Sequence, residues 1–342
     1  KKNVKKIIMT IRIGINGFGR IGRMILRSII ENNRKDIEVV AINNRGNAEV
    51  SSFLLTHDTI HGSLKNKISH SDQSISIDGK KISMIQENEI SNINWKKYKI
   101  DVVLECTGKF NSKEKSTQHI KSGAKKVLVS APCKGAKNIV FGVNQKSINL
   151  KDEVISAASC TTNCLAPVAK VLNNNFEIER GFMTTIHSYT SDQRLLDNSH
   201  KDLRRARAAA SSMIPTTTGA TKSLGDIIPE LKDKIEGISI RVPTPNVSLV
   251  ELVFSSNKNL TIEKINNSFI KASKSDLKNI LDVNNKPLVS SDFNHSPYSA
   301  IVDLSLTKVV ENKMAKVSAW YDNEWGFSNR MCDLANYFGN LK

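Results

Sequence analysis

The segment Gly17-Phe18-Gly19-Arg20-Ile21-Gly22 does most to limit the folds open to this chain. Residues 11–16 alternate apolar with polar or small side chains and read as a strand. A stripe of Ile21, Met24, Ile25 and Ile29 then reads as a helix over about 20–32, and residues 37–42 read as a second strand. The glycines fall where a dinucleotide-binding βαβ unit needs them. Gly17 permits the tight turn, Gly19 lets a pyrophosphate approach the backbone, and Gly22 lets helix and strand pack closely. The N-terminus of that helix receives the phosphates.

The end of the second strand selects the cofactor. An acidic residue ~20 positions after the glycines normally holds the adenine-ribose hydroxyls of NAD. Here the tip reads Asn43-Asn44-Arg45-Gly46, with no carboxylate and an available guanidinium. A carboxylate repels a 2′-phosphate, whereas Asn44 tolerates it and Arg45 can pair with it, so NADP is expected to be accepted and slightly favoured over NAD. The other reading keeps Asn44 on the ribose of NAD and leaves Arg45 solvated. Residues 101–106 and 126–130 read as further buried strands. Ligands sit beyond the C-terminal ends of such strands, which makes Thr107, Gly108 and Ser130 expected cofactor contacts, with a plain strand-end cap the alternative for Ser130.

A second junction carries the chemistry. Residues 154–158 read as a strand, residues 165–172 as a helix with Pro167 in its first turns, and Ser159-Cys160-Thr161-Thr162-Asn163-Cys164 lies between. Unpaired N–H groups and the helix dipole at such a junction favour a thiolate, so Cys160 is the candidate nucleophile with a lowered pKa. An inert buried cysteine is the alternative. Cys164 reads as a packed neighbour.

Downstream the pattern changes. Residues 181–190 read as a strand carrying His187, and residues 191–213 are polar and rich in arginine. Residues 215–220 read as a hydroxyl-rich turn before a helix from about Thr221. Strands are expected at 238–242, 248–255, 299–307 and 314–320, helices at 260–273, 275–281 and 326–338, and a loop over 282–296. The hairpin signal Asp78-Gly79 joins short strands at 74–77 and 81–85. The fold class is therefore α/β: a Rossmann dinucleotide-binding domain plus an α+β catalytic domain on a mixed or antiparallel sheet. The 342 residues suit two domains, 1–159 completed by a C-terminal helix in 324–342, and 160–323.

Composition narrows the function classes. The net charge of +17 can steer anionic ligands, but the lysines are dispersed and aromatics are 6%, so no dedicated nucleic-acid site is expected. No apolar run approaches the ~20 residues that cross a bilayer. The five cysteines form no disulfide framework, which points to a reducing, cytoplasmic setting, and none has zinc-ligand spacing, so no metal is expected. Residues 1–10 are too short for a signal peptide; Met9 as the true start and a plain N-terminal arm are both open readings.

Long ordered motifs, NGFGRIGR at 16–23, ASCTTNCLAP at 158–167, RARAAA at 205–210, IRVPTPNVS at 240–248 and WYDNEWGFS at 320–328, resemble the phosphorylating glyceraldehyde-3-phosphate dehydrogenases. The resemblance runs from about Ile11 to the C-terminus. It implies oxidation of D-glyceraldehyde 3-phosphate to 1,3-bisphosphoglycerate through a thioester on Cys160, with hydride passing to NAD(P) and His187 as base. It further implies that Thr190 and Arg241 hold the substrate phosphate, that Ser159, Thr161, Thr218 and Gly219 hold inorganic phosphate, and that Asn323 holds the nicotinamide carboxamide. A homotetramer is implied, with the tract 191–213 packed against a neighbouring subunit's cofactor. The chain departs from NAD-specific members at Asn44, where they carry Asp, and at Asn198-Ser199, where they carry Gly-Pro; Ser199 resembles members that use NADP. Asn88 stands where relatives often have a basic residue near the adenine. Erythrose-4-phosphate dehydrogenase, a close relative with the same nucleophile, and a basic nucleic-acid-binding protein on the same fold are the competing readings.

Overall fold

The structure, a computed structural model, describes residues 10–341; the basic stretch around Met9 lies outside the described residues. The chain divides into two compact units. The first comprises residues up to 137, with 146–157 and those from 331 onward; the second comprises 138–145 and 158–330.

The first unit is wound on β1 (Ile11–Asn16), α1 (Arg20–Glu31) and β2 (Ile37–Asn43), followed by α2 (Ala48–Thr56). Next come β3 (Ile68–Ser71), β4 (Ser74–Ile77), β5 (Lys80–Ile85) and β6 (Val102–Glu105). The one-turn helices α3 (Lys113–Ser116) and α4 (Gln118–Lys121) precede β7 (Lys126–Val129), β8 (Lys137–Asn138) and β9 (Val154–Ser156). The strand order is β3-β4-β5-β2-β1-β6-β7-β9-β8. From β5 through β2, β1, β6 and β7 to β9 the pairing is parallel, and β3 and β4 add an antiparallel edge. The parallel strands are covered on both faces and are accordingly near-continuous apolar runs, with Ile13, Ile15, Val103, Leu104, Val127 and Leu128 fully buried. Gly17 has φ +94°, a conformation side chains rarely adopt, and a Cβ on Gly22 would stand 2.3 Å from the Gly17 carbonyl oxygen. The turn therefore requires both glycines.

The second unit begins with α5 (Cys160–Phe176) and β10 (Ile178–Ser188), then β11 (Ile214–Thr217), α6 (Ala220–Ile227), β12 (Ile235–Val242) and β13 (Ser248–Ser256). It continues with α7 (Ile262–Lys274), β14 (Leu281–Asn284), β15 (Ala300–Asp303), β16 (Lys308–Val310) and β17 (Met314–Tyr321). Helix α8 (Trp325–Asn340) closes the chain, its later turns belonging to the first unit. The sheet runs β11-β12-β10-β13-β17-β15-β14, with β16 on β17, and mixes parallel and antiparallel pairs. Helix α5 buries Cys164, Leu165, Val168 and Leu172 in the same cluster as Val250, Leu252, Val317 and Ala319 of the sheet.

Four elements differ from the sequence reading. Residues 215–217 belong to β11, an edge strand whose alternating burial at Ile214 and Thr216 is masked in sequence by Pro215 and the threonine run. The stretch 275–281 is not a helix: Asn279 has φ +65°, and the chain enters β14 at Leu281, inside what reads as a loop. The expected strand 299–307 stops at Asp303, whose side chain accepts from the Ser305 backbone N–H and starts a short 3₁₀ turn. Helix α5 begins at Cys160 itself, five residues before the apolar run at 165–172 suggests.

Candidate active site

Cysteine 160 is the first residue of α5. Ser159 caps the helix, its Oγ accepting the Thr162 N–H at 3.0 Å, and Ala158 before it has φ +57°. A non-glycine residue in that region is uncommon and strains the turn into the helix. The neighbouring strand supplies the partner: His187 near the end of β10 brings Nε2 to 3.5 Å from the Cys160 sulfur. His187 Nδ1 lies 2.6 Å from the Ser188 carbonyl oxygen. Nδ1–H donates there, which leaves Nε2 as the bare nitrogen facing the thiol.

Strand register explains the third member. Residues 187 and 241 are direct partners of the parallel β10–β12 ladder. Arg241 Nη1 accordingly lies 3.1 Å from His187 Nδ1, 3.2 Å from the Ser188 oxygen and 3.5 Å from Thr190 Oγ1. No carboxylate pairs with Arg241 among the described residues, and its Nε is buried without a partner. A largely enclosed guanidinium with no counter-ion, beside the Thr190 hydroxyl, is suited to an anionic ligand.

The electrostatics correct one expectation. Cys160 keeps partial exposure, but the protein packed around its sulfur pushes the thiol pKa up from its ordinary value. That burial outweighs the Arg241 charge, the Thr161 N–H and hydroxyl, and its own N–H, all of which favour the thiolate. Burial first and the Arg241 charge second push His187 down to about 3. The resting pair is therefore a thiol and a neutral imidazole, not a preformed thiolate. The helix end acts in the expected direction and is outweighed.

The remaining expected residues occupy definite places. Thr161 turns its hydroxyl inward, 2.9 Å from the Tyr321 hydroxyl, which also meets Thr185 at 2.8 Å. Ser159 is occupied in part as the helix cap. Thr218 Oγ1 accepts the Ala220 N–H at the start of α6, and a Cβ on Gly219 would meet nothing within 4 Å. Asn323 is buried, its Oδ1 accepting from the Ser188 and Ser248 hydroxyls at 2.8 and 2.9 Å.

In the first unit, a cavity of about 250 Å³ brings together Gly17, Gly19, Asn44, Arg45, Asn88 and Thr107. Among the described residues no side chain caps α1, and a Cβ on Gly19 would meet nothing within 4 Å. A phosphate-bearing dinucleotide fits such an uncapped helix N-terminus. The Arg20 side chain is committed to Asp58, so its backbone rather than its guanidinium faces that end. Asn44 Nδ2 reaches Ser51 Oγ at 3.3 Å, and Arg45 is exposed with no hydrogen-bond or ion-pair partner among the described residues. Gly108 follows Thr107 with φ +72°. Ser130 follows β7, its N–H donating to the Glu105 carbonyl, and does not line this cavity. Ser199 lies exposed in the arginine-rich loop of the second unit, beside Asn198.

Sequence reasoning missed the buried carboxylate beneath that cavity. Glu105 accepts from Asn16 Nδ2 at 2.6 Å, His119 Nε2 at 2.9 Å and the Thr107 N–H at 2.8 Å, while the Trp95 indole N–H donates to His119 Nδ1 at 3.0 Å. An acidic residue inside the apolar strand 102–105 was the available signal. Tyr321, at the end of β17, is missed as well, because an apolar strand reads as core.

Comparison with known proteins matches both halves of the chain. Residues 11–113 match the model of the glyceraldehyde 3-phosphate dehydrogenase NAD binding domain, and residues 159–323 that of the C-terminal domain. The chain is 52% identical over 334 residues to a glyceraldehyde-3-phosphate dehydrogenase of Cereibacter sphaeroides, covering 97% of this chain and 100% of the relative. It is 49% identical to the Geobacillus stearothermophilus protein of that name, covering 97% and 99%. It is 48% identical to glyceraldehyde-3-phosphate dehydrogenase 2 of Bacillus subtilis, covering 96% and 97%.

Proposed function

The chain belongs to the glyceraldehyde-3-phosphate dehydrogenase family, and on that premise we propose how its own residues divide the reaction. The chain is an oxidoreductase that converts D-glyceraldehyde 3-phosphate and inorganic phosphate to 1,3-bisphosphoglycerate. The cofactor, when bound, supplies the hydride acceptor.

Cys160 attacks the aldehyde carbon while His187 Nε2 takes the thiol proton, and the protonated imidazole returns it to the carbonyl oxygen as the hemithioacetal forms. His187 then removes the hydroxyl proton as hydride leaves the same carbon, giving the thioester. A phosphate oxygen attacks the thioester carbonyl, and the sulfur departs and is reprotonated from His187. His187 Nε2 facing the Cys160 sulfur at 3.5 Å is the observation that carries this reading, because it sets a proton acceptor against the thiol for the first step.

Arg241 and Thr190 hold the substrate phosphate, a role supported by the guanidinium having no carboxylate partner among the described residues. Ser159, Thr161, Thr218 and Gly219 bind the attacking phosphate, mainly through N–H groups at the α5 and α6 ends and the Thr218 hydroxyl. Gly17, Gly19, Arg20, Ile21 and Gly22 take the pyrophosphate, Thr107 and Gly108 flank the cofactor, Ser130 after β7 meets it outside that cavity, and Asn323 takes the carboxamide. Residues 1–159 with 324–342 serve as the cofactor domain and 160–323 as the catalytic domain. NADP is accepted as well as NAD, through Asn44, the unpaired Arg45 and, from a neighbouring subunit, Ser199. The working form is a homotetramer in the cytoplasm. Exposed Phe182, Leu195, Leu196, Leu203, Met213 and Ile238 support subunit contacts in the second unit, and five free cysteines support a reducing compartment. No helix among the described residues is long and apolar enough to cross a membrane.

Steady-state kinetics on D-glyceraldehyde 3-phosphate with NAD and with NADP, with and without phosphate, test the reading. Phosphate-dependent turnover lost in Cys160→Ser supports it; turnover retained in that variant overturns it.

A further inference from the structure

Asn323 has two chemically different ends, and the structure distinguishes them. Its Oδ1 accepts from the Ser188 hydroxyl at 2.8 Å and the Ser248 hydroxyl at 2.9 Å. The Ser188 backbone N–H in turn donates to Ser248 Oγ at 3.1 Å, which uses one of that oxygen's acceptor sites. Both serines are at most 1% exposed. Turning the Asn323 amide over would leave two buried hydroxyl protons with only each other as partners, at 3.4 Å. Buried donors without acceptors are costly, so the serine pair fixes one amide orientation. Nδ2 makes no hydrogen bond to any described residue and is the end left for a ligand.

The surroundings hold this pair in place. Asp322 accepts the Glu324 and Trp325 N–H groups on one oxygen, and Asn246 Nδ2 and the His295 N–H on the other. Asn323 is thereby pinned next to the first turn of α8. Val247, between Asn246 and Ser248, has φ +67° although it is β-branched and buried, a strained conformation that persists only where the surroundings impose it. Its effect is to deliver Ser248 to Asn323.

We propose that Ser188 and Ser248 are positioning residues which lock the Asn323 amide with Nδ2 outward, so that it donates to the nicotinamide carboxamide and rejects the opposite ring orientation. This rests on the reading of Asn323 as the carboxamide partner. Ser188 also accepts the His187 Nδ1–H on its carbonyl, so one residue orients both the base and the cofactor's holder.

The test compares binding of NAD with binding of ADP-ribose, which lacks the nicotinamide, by calorimetric titration of the whole protein. The Ser188→Ala/Ser248→Ala variant is expected to weaken NAD roughly five- to tenfold and to leave ADP-ribose unchanged. Unchanged ADP-ribose binding also reports an intact cofactor domain, and each single variant moves NAD in the same direction by less. Transfer of deuteride to NAD from 1-deuterated substrate is expected to label both faces of the ring in the double variant and one face in the parent. Asn323→Ala, titrated alongside, separates the two levels. If Asn323→Ala weakens NAD alone while the double-serine variant weakens both ligands equally or neither, the positioning role is overturned and Asn323 stands. If Asn323→Ala leaves NAD and ADP-ribose equally unaffected, the carboxamide reading fails and the positioning role with it.

Discussion

The sulfur of Cys160 and Nε2 of His187 stand 3.5 Å apart, with the imidazole tautomer set by the Ser188 carbonyl on its far side. Burial raises the thiol and depresses the imidazole, so the proton rests on sulfur until substrate arrives. His187→Asn removes the acceptor for that proton and is expected to slow turnover by ~10²–10⁴. Alkylation by iodoacetamide should shift with it. In the parent, His187 assists thiol reaction below the thiol's own pKa; in the variant, reaction tracks free thiolate alone and its midpoint moves to higher pH. An unchanged alkylation profile would show that the two side chains do not act together.

Arg241 acts on both members of the pair. Its charge is the second cause, after burial, of the low His187 pKa, and the largest influence favouring the Cys160 thiolate. Arg241→Leu is expected to move both groups up, with the His187 ring carbons titrating at higher pH by NMR. The KM for D-glyceraldehyde 3-phosphate should rise at least about tenfold, whereas unphosphorylated glyceraldehyde should change little. An equal effect on both aldehydes would remove the phosphate assignment.

Cofactor choice is tested at the tip of β2. Asn44→Asp places a carboxylate in the cavity that holds Gly19 and Arg45, where it would repel a 2′-phosphate and accept from ribose hydroxyls. The ratio of kcat/KM for NADP over NAD should fall by roughly tenfold or more. A ratio that does not move would exclude Asn44 as the selector.

The Arg20–Asp58 pair gives a pH-dependent stability. Burial works against ionisation of Asp58, but the Arg20 guanidinium and the Ile60 and His61 N–H groups outweigh it and hold the carboxyl at about 2. A depressed carboxyl stabilises the fold above its unfolded pKa of ~3.9 and loses that contribution as pH falls through about 2. Asp58→Asn should therefore lower Tm by on the order of 3 °C at pH 6, and the gap to the parent should close as pH approaches 2. A gap that is constant with pH would show that the charge is not involved.

What the sequence makes legible follows from how local each signal is. Period and glycine placement specify β1, the turn and α1, because neighbouring residues determine all three. The Cys160 junction is legible as a strand-to-helix turn for the same reason, although the capping Ser159 and the helix start at Cys160 are not, because the apolar run begins only at Leu165. Stretch 275–281 misleads because Leu277, Ile280 and Leu281 carry helical spacing, while a single left-handed residue, Asn279, breaks the turn. The direction of the Cys160 pKa is not legible at all: it depends on burial and on Arg241, a non-local neighbour set by strand register. The buried Glu105 and the Ser188–Ser248–Asn323 cluster were missed because their partners meet only through the sheets.

Everything proposed for the reaction runs through a thioester on Cys160. Rapid mixing of the enzyme with cofactor and D-glyceraldehyde 3-phosphate in the absence of inorganic phosphate tests it most directly. The expected result is a burst of reduced cofactor equal to the active sites, a 3-phosphoglyceroyl adduct on the peptide containing Cys160 by mass spectrometry, and discharge of that adduct when phosphate is added. Absence of a burst, or an acyl group on any other residue, would contradict it.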